Sequence, residues 1–489
     1  MVRLTVWRDY FPDYRRDPAD DHASRRASSY EEVQSFELFV DLLYVGIIAV
    51  NGDAAAERAT GLSLLRFVIT FTLSWKIWND MAIIIAWFET DDIFQRFSVL
   101  FLLACLFGYT TNIMEAFDHT YATLIGFYLT ARLYMVAYLV VVACLVPMVR
   151  GVMIYNVLTA LISCALWIGS IHTDWPNQLA LIWIALFGEI TGQTSYLFIV
   201  LTAERFGGGF KSWTDKWFAF WPALNIEHRV ERTNAFVTLV FGYTVVAMLY
   251  QSATAGVDAF FGKAILGLIQ AFCFNWLYFE IDASNISLHA IRRHKISTFV
   301  WNMSHLPFIM SFVLGGGALA RLVVATDTEA SHLDMLTVTY QDRSEEHISA
   351  GIRWFYCAGF GTALACMGFI SLSHIHKAPP SLRYGKHKRL ALRFAVALIL
   401  ILLPLAEHLN SVQLLGTVTG LVVFTLISEL WACSCADSKL WSRDKPCKYI
   451  GNCGKKDLMK LVEKGGRIDV DELGAASKYK SSGVASAPM

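Results

Sequence analysis

Charged residues are scarce in this chain of 489 residues. They make up 17% of the sequence, whereas about 25% is usual in a soluble protein. Hydrophobic residues make up 55%, and the mean hydropathy is +0.45. This composition excludes an ordinary soluble protein. The formal net charge is +0, so the total charge identifies no class of partner.

Sequence motifs for common enzyme chemistry are absent as well. The chain contains no glycine-rich phosphate loop, no H-E-x-x-H motif and no nucleophile elbow. The cysteines at 433, 435, 447 and 453 have spacing that does not suit zinc. We therefore predict no cofactor, no metal site, no catalytic residue and no nucleic-acid partner. Cys433 and Cys435 follow the last apolar run and fit S-palmitoylation better.

Two further absences concern the compartment. The first 32 residues are polar and lack the apolar run of a cleavable signal peptide. No predicted external loop contains a cysteine, so we expect no disulfide framework.

Apolar runs of nearly the length that crosses a bilayer as a helix, about 20 residues, recur along the chain. This pattern predicts an all-α, polytopic transmembrane bundle over 33–433, between an N-terminal segment (1–32) and a C-terminal tail (434–489). We count twelve runs; several are short or interrupted, so ten or eleven spans stay open. The runs are 33–50, 64–88, 97–116, 121–145, 152–170, 179–202, 233–251, 260–286, 298–324, 350–373, 391–406 and 412–433.

The distribution of Lys and Arg predicts the orientation. With the N-terminus inside, the inner segments before the tail contain 22 Lys and Arg, whereas the outer ones contain three. The tail adds eleven to the inner side. Because cytoplasmic loops accumulate positive residues, we expect both termini in the cytoplasm. Residues 203–232 would then form a cytoplasmic loop and 325–349 an acidic external loop. We favour the plasma membrane as the location.

The first span, around FELFVDLLYVGIIAVNG, contains two carboxylates one helical turn apart. Glu37 and Asp41 belong to a stripe with 3-4-3-4-3 spacing, in which five of six positions are polar. An Asp at the bilayer centre costs about 2.5 kcal/mol or more on insertion scales. We therefore expect this stripe to face protein or a water-filled cavity. The stripe consists of Gln34, Glu37, Asp41, Tyr44, Ile48 and Asn51.

Several motifs resemble those of the low-temperature-requirement A (LtrA) family of membrane proteins. ELFVDLLYV is similar to the family's opening motif, and IEHRVERTNAF at 226–236 resembles its His-x-x-Glu-Arg segment. NWLYFEID at 275–282 and SHLPFIMSFVL at 304–314 resemble later motifs in the same order. The resemblance runs from about 35 to 430 and implies a multi-span bundle, but it implies no particular reaction. The family tends to read L-G-E where this chain reads Phe241-Gly242-Tyr243, so an acid is absent there.

Lys76, in the second span, requires a carboxylate partner, because an unpaired ammonium is costly at membrane depth. Asp80 on its own helix, or Glu37 or Asp41 on the first span, can supply that carboxylate. The pair can be a static ion pair that joins two helices, or a protonation-sensitive pair that lines a pathway. A Schiff-base lysine is a third, weaker interpretation.

Three more residues are predicted sites for protons or cations. Glu189 lies mid-span without an evident basic partner, and burial of this kind favours a protonated carboxyl. Glu280 lies deeper in the eighth span than Asp282, which we expect at the interface. His305, in the ninth span, has a side chain suited to proton exchange near neutral pH. Each can equally be a packing residue with satisfied hydrogen bonds.

Two structural pairs are also predicted. Glu115 and Arg132 flank a short external turn and can form an ion pair. Glu231 and Arg232 lie where the seventh span begins, and they can form a gate pair or a structural clasp.

These features favour a transporter or channel for a small solute or ion, with proton coupling as one possibility. Glu37, Asp41 and Lys76 would form its central charge cluster. Its partners would be membrane lipids and the transported solute, in an oligomeric state that the sequence leaves open. Two alternatives remain: a membrane-embedded enzyme that acts on lipid, and a scaffold or sensor without transport activity.

Overall fold

The computed structural model describes residues 35–87, 93–192, 195–218, 220, 222, 225–249, 253, 256–377 and 382–434. Within these residues the chain forms sixteen α-helices and one two-stranded sheet. The predicted N-terminal segment, Gln34, Cys435 and the tail beyond 434 lie outside the described residues.

The first half of the chain provides eight helices. They are α1 (Ser35–Glu57), α2 (Gly61–Trp87), α3 (Ile93–Thr110), α4 (Tyr121–Leu145), α5 (Arg150–Ile171), α6 (Asn177–Thr191), α7 (Tyr196–Phe206) and α8 (Gly208–Trp217).

The second half contains the remaining helices and both strands. They are α9 (Ile226–Ala247), α10 (Ala259–Trp276), β1 (Ile286–Leu288), α11 (Ala290–Arg293), α12 (Lys295–Val323), α13 (Val338–Gln341), α14 (Ala350–Ser373), β2 (Ile375–His376), α15 (Lys386–Leu402) and α16 (Ser411–Cys433). A π-helical turn, Leu277–Asp282, continues α10.

Nine helical segments in the described part of the chain are long and apolar enough to cross a membrane. They comprise α1 to α5, α10 with its π-helical turn, α12, α14 and α16. The predicted all-α, multi-pass class is therefore confirmed, while twelve spans and the orientation stay predictions. The predicted sixth span, 179–202, is divided between α6 and α7 near Gly192. Charged residues in the first turns of α9 and α15 lower the hydropathy of those helices.

The helices form two halves around a shared centre. Helices α2 to α6 pack on one side, and α10, α12, α14, α15 and α16 pack on the other. Helix α1 lies between the halves, against α2, α9 and α12. Short turns connect α1 to α2 and α5 to α6, so the helices of each pair run in opposite directions. We call the end of the bundle that carries Arg292, Arg293 and Lys295 the basic end.

Glycines allow close contacts between the central helices. A Cβ atom on Gly317 of α12 would lie 2.7 Å from the Gly52 carbonyl oxygen of α1. A Cβ atom on Gly359 of α14 would lie 2.8 Å from the Ser311 carbonyl oxygen of α12. Small residues of this kind let membrane helices approach closely, which fixes α12 against both neighbours.

The acidic stretch 325–349 is partly ordered by contacts with the bundle. Asp327 accepts hydrogen bonds from the backbone nitrogen of Ser411, at 2.6 Å, and from its hydroxyl, at 2.5 Å. Lys263 Nζ lies 3.8 Å from Asp327 and donates to the Ala325 carbonyl oxygen at 2.5 Å. These contacts fasten the stretch to α10 and α16.

Candidate functional site

A cavity of about 540 Å³ lies between the two halves and reaches the basic end. One wall comes from α2, α5, α6 and α7, and the other comes from α9, α11 and α12. The volume is within the range of roughly 300–1,000 Å³ that is typical of small-molecule sites. Much of the lining is apolar or aromatic: Trp75, Ile83, Trp87, Ile190, Val200 and Met303.

Four charged side chains form a buried group beside this cavity, which we call the cavity cluster: Lys76, Asp80, Arg132 and Glu189. Lys76 Nζ lies 2.5 Å from Asp80 Oδ1 on the same helix. Arg132 of α4 contacts the other oxygen of Asp80, and its Nη2 lies 2.9 Å from Glu189 Oε2 of α6. All four residues line a smaller cavity. Asn156 and Glu189 line both this cavity and the larger one.

Glu189 is the member of the cavity cluster that lines both cavities. Its Oε2 pairs with Arg132, its Oε1 is buried, and the hydroxyl of buried Tyr128 acts on the same carboxylate. The expectation that Glu189 lacks a basic partner is wrong. The periodicity of α6 could not show that α4 brings a guanidinium to the same depth.

Arg229, near the start of α9, lines the larger cavity and is 5% exposed. Its Nη2 donates to Asn79 Oδ1 at 2.5 Å, and its guanidinium lies 5.6 Å from the centre of the Trp78 ring. Its Nη1 has no hydrogen-bond partner, and no carboxylate in the described part of the chain pairs with it. Sequence analysis did not select Arg229, although it lies within the quoted segment IEHRVERTNAF.

The mouth of the cavity is positively charged. Arg292, Arg293 and Lys295 line it, beside the first turn of the 29-residue helix α12. Arg292 pairs with Glu227 at 2.8 Å and Lys295 with Glu204 at 3.0 Å, both on exposed surface. Exposed pairs of this kind bind weakly and exchange readily with solvent, so anions approaching the mouth meet accessible cations.

Glu37 and Asp41 lie in a separate group, which we call the α1–α9 clasp: Glu37, Asp41, His228 and Arg232. Arg232 donates to both oxygens of Asp41 at 2.8 Å, and its Nε lies 3.2 Å from Glu37. His228 lies 3.4 Å from Glu37. The stripe of α1 therefore faces protein, but the predicted single cluster of Glu37, Asp41 and Lys76 is wrong. Lys76 instead pairs with Asp80.

A third charge group joins α10, α15 and α16. Arg393 lies 2.6 Å from Asp282 and 2.8 Å from Glu429, and Arg389 lies 2.7 Å from Glu429. Arg389 also contacts Cys433 Sγ at 2.5 Å, and this cysteine is partly buried. Sequence analysis missed Arg393 and Glu429. The four-residue spacing of Arg389 and Arg393, on one helix face, was the available signal.

Of the two acids near the end of α10, the structure buries the one that we expected at the interface. Asp282 is buried with Arg393, whereas Glu280 is exposed. Both acids lie in the π-helical turn Leu277–Asp282. The partner of Asp282 is 111 residues away in the chain, so no pattern within this helix indicates which acid is covered.

His305 is buried and takes part in a neutral hydrogen-bond network. Its Nδ1 lies 2.6 Å from the Trp301 carbonyl oxygen and its Nε2 lies 3.1 Å from the Tyr278 hydroxyl. That hydroxyl also lies 3.2 Å from Asn234 Oδ1. These partners are uncharged groups, which fits the packing role that the sequence left open for His305.

Neither predicted structural pair forms. Arg132 binds Asp80 and Glu189, whereas Glu115 is exposed in the turn after α3. Arg232 is buried in the α1–α9 clasp, whereas Glu231 is exposed. Consecutive residues on a helix point in directions about 100° apart, which separates Glu231 from Arg232.

The position where the family motif has an acid is occupied here by Tyr243. Its hydroxyl donates to Asp53 Oδ1 of α1 at 3.2 Å. A carboxylate is therefore present nearby, but α1 supplies it instead of α9.

Three histidines close together at the basic end connect β1, β2 and the start of α11. Ile286 of β1 pairs with His376 of β2 in an antiparallel register. The Ala290 backbone N–H donates to His374 Nδ1 at 3.1 Å, and the His289 and His374 ring centres lie 4.5 Å apart. Burial lowers the pKa of His289 and of His376 to about 4, and that of His374 to about 2.

The apolar helices, the buried charge groups and the cavity between two halves define a multi-pass integral membrane protein. The chain belongs to the family described as bacterial low temperature requirement A protein (LtrA), whose model matches residues 32–427. The resemblance stated from sequence motifs is thereby confirmed. No curated protein and no solved structure matches the chain significantly.

Proposed function

We propose that this membrane protein is a transporter for a small solute, and that the large cavity is the inner part of its pathway. The observation that carries the proposal is the position of the cavity cluster. Charged groups at membrane depth are costly and commonly mark substrate or ion pathways. Here Glu189 lines the cavity of about 540 Å³ that opens at the basic end, and Lys76, Asp80 and Arg132 line the smaller cavity that shares Asn156 and Glu189 with it.

Within this proposal, Asp41 and Glu37 have a structural role. Their carboxylates are held by Arg232, and neither lines the cavity. The pathway residues that we propose are Lys76, Asp80, Arg132 and Glu189. Glu280 and His305 are not part of it.

Proton coupling, as a finer part of the proposal, would depend on Glu189. Its Oε1 is buried, the Tyr128 hydroxyl acts on the same carboxylate, and its side chain lines the cavity. A proton on that oxygen would neutralise the carboxylate and weaken its attraction to Arg132, which is 2.9 Å away. Arg132 would keep its contact with Asp80, while its Nη2 could bind a solute in place of Glu189.

Solute flux in liposomes tests the proposal. The purified chain would be reconstituted with an internal pH dye, and labelled cations, anions and neutral solutes would be added with and without a pH gradient. We expect saturable uptake of at least one solute class, with loss of gradient dependence in Glu189→Gln. The matched control, Glu280→Gln, changes an exposed carboxylate and should behave as wild type.

One outcome would contradict the transporter proposal, and another would contradict only the proton coupling. If no solute class enters faster than in empty liposomes, the transporter proposal fails. If uptake occurs but neither wild type nor Glu189→Gln responds to the pH gradient, the coupling through Glu189 fails while transport stands.

A further inference from the structure

We infer that the large cavity binds a small organic anion, with its carboxylate or phosphate oxygen on Arg229. This inference deepens the proposed function, because it assigns a substrate class to the same cavity.

Arg229 carries the inference. Arg229 is 5% exposed, lines the cavity, and has a buried Nη1 without a hydrogen-bond partner among the described residues. A buried ion without a partner is strongly unfavourable, so a folded chain retains one where a ligand completes it. An oxyanion supplies both the missing hydrogen-bond acceptor and the missing negative charge.

Arg232, three residues further along α9, differs from Arg229 in the charge of its partners. Arg232 is equally buried, but two carboxylates of α1 surround it. Asn79, the hydrogen-bond acceptor for Arg229, is neutral. The fold thus neutralises one arginine internally and leaves the charge of the other directed at a cavity.

The charge balance of the lining agrees with an anionic ligand. Four basic side chains line the cavity, namely Arg229, Arg292, Arg293 and Lys295, and Glu189 is the acidic lining residue among those described. Arg132 compensates Glu189, and the exposed Glu227 and Glu204 pair with Arg292 and Lys295. In the described part of the chain, Arg229 and Arg293 pair with no carboxylate. A solute that enters through the mouth therefore meets a positive field, which concentrates anions and repels cations.

The remaining lining indicates that the ligand also has an apolar part. Trp75 and Trp87 of α2 and Met303 of α12 offer aromatic and apolar surface in the same cavity. An inorganic anion would leave that surface in contact with water. An organic acid with an aromatic or aliphatic body would cover it.

Binding of phenylacetate to the full-length protein in lipid nanodiscs tests the inference, with phenylacetamide as the uncharged isostere. We expect saturable binding of phenylacetate by calorimetry and weaker binding of phenylacetamide. Arg229→Gln should weaken phenylacetate binding by about tenfold or more, and Arg229→Lys, which keeps the charge, should weaken it less. Arg66→Gln, at an exposed pair remote from the cavity, should bind as wild type.

Folding of the variants is checked by thermal unfolding without ligand. The Asp80 carboxylate also acts on Arg229, but it already pairs with Lys76 and Arg132. Because no carboxylate in the described part of the chain pairs directly with Arg229, Arg229→Gln should unfold at a temperature no lower than wild type. A marked loss of stability in both Arg229 variants would mean that the guanidinium has a structural role, and would overturn the inference. Equal binding of the acid and the amide, or unchanged binding in Arg229→Gln, would overturn it as well.

Two further readouts separate this inference from the proposed function. If phenylacetate binds through Arg229 but no anion enters liposomes, the site stands and transport fails. If a cation is transported and phenylacetate does not bind, transport stands and the anion site fails. Mass spectrometry of the purified protein tests whether the bound anion is a membrane lipid. An anionic phospholipid that is retained by wild type and lost in Arg229→Gln would identify the ligand as a lipid instead of a soluble anion.

Discussion

Arg229 and Arg232 are both buried on α9, but their surroundings differ in charge. Arg232 contacts Glu37 and Asp41, whereas the Arg229 side chain donates to the neutral amide of Asn79. One helix therefore combines an arginine that fastens α1 to α9 with an arginine directed at a cavity. Substitution of each arginine should therefore have a different effect on the stability of the protein.

Replacement of Arg232 by Gln should destabilise the protein strongly. The change leaves Asp41 and Glu37 buried without the guanidinium that compensates them, and loss of one partner from a buried pair costs about 3–5 kcal/mol. Thermal unfolding in detergent would measure the effect. The exposed neighbour provides the control, since Glu231→Gln should change stability by no more than about 0.5 kcal/mol.

If Arg232→Gln unfolds at the wild-type temperature, the clasp does not hold α1 against α9. A triple variant with Leu at 37, 41 and 232 adds a second check. Apolar residues can replace buried ion pairs without loss, so the triple variant should recover much of the stability lost in the single one.

The sequence predicted correctly that Asp41 faces the interior, but it did not predict the partner of Asp41. Periodicity along α1 defines a polar face of that helix, whereas the partner, Arg232, is 191 residues away in the chain. Which helix lies opposite depends on packing of the whole bundle. The same limit explains why Arg132 was paired with Glu115 instead of Glu189.

At the scale of the element, the π-helical turn Leu277–Asp282 carries one buried and one exposed acid. Glu280 is exposed like Trp276, whereas Asp282 is buried and pairs with Arg393. Helical spacing places the two acids on different faces. Which face is covered depends on α15 and α16, which supply Arg393 and Glu429.

Removal of the charge should therefore affect the two acids of this turn differently. We expect Asp282→Asn to cost about 3 kcal/mol, at the low end for a buried pair, because Glu429 still compensates Arg393. Glu280→Gln, in the same turn, should have little effect because Glu280 is exposed. Unfolding of both variants under identical conditions compares them. A larger loss in Glu280→Gln would contradict the assignment.

The strand pair β1–β2 should make the basic end sensitive to acid. The pKa of His289, His374 and His376 is lowered by burial, while unfolded histidine titrates near 6.5. Between about pH 6.5 and pH 4 the unfolded chain thus binds protons that the folded chain does not. Stability is fully present above pH 6.5 and decreases as the pH falls through this range.

Melting temperatures of wild type and His374→Gln at several pH values between 7.5 and 4 test this expectation. The glutamine can still accept the hydrogen bond from the Ala290 N–H, but it does not titrate. We therefore expect a smaller decrease with acid in His374→Gln. His408→Gln removes an exposed histidine near the other end and should keep the wild-type slope. Equal slopes in all three proteins would contradict the prediction.

For the molecule as a whole, composition alone predicted the class, because apolar runs of membrane-spanning length are a property of each segment. The division into two halves and the cavity between them could not be predicted that way. They arise from contacts among α2, α6, α9 and α12, which no local pattern specifies. The members of the cavity cluster were consequently predicted from the sequence as separate residues, and Arg229 was not predicted as a site residue.

Accessibility from each side of the membrane tests the position of the cavity in the whole molecule. Asn302 lines the large cavity, and Ser63 lines a smaller one of about 300 Å³ on the side where α2 begins. On a background without native cysteines, Asn302→Cys should react with an impermeant maleimide from the side of the basic end. The positive-inside distribution predicts this side to be cytoplasmic. Ser63→Cys should react from the opposite side.

The pattern of labelling also distinguishes two mechanisms. A transporter that exposes its site to one side at a time should show Asn302→Cys labelling mainly from the basic end, reduced by a solute that occupies the cavity. An open channel would admit the reagent from both sides at similar rates. Labelling of Asn302→Cys from the Ser63 side alone would invert the predicted orientation, and it would place Arg292, Arg293 and Lys295 outside the cell. The attraction of anions through that mouth would then act on uptake from outside instead of on export.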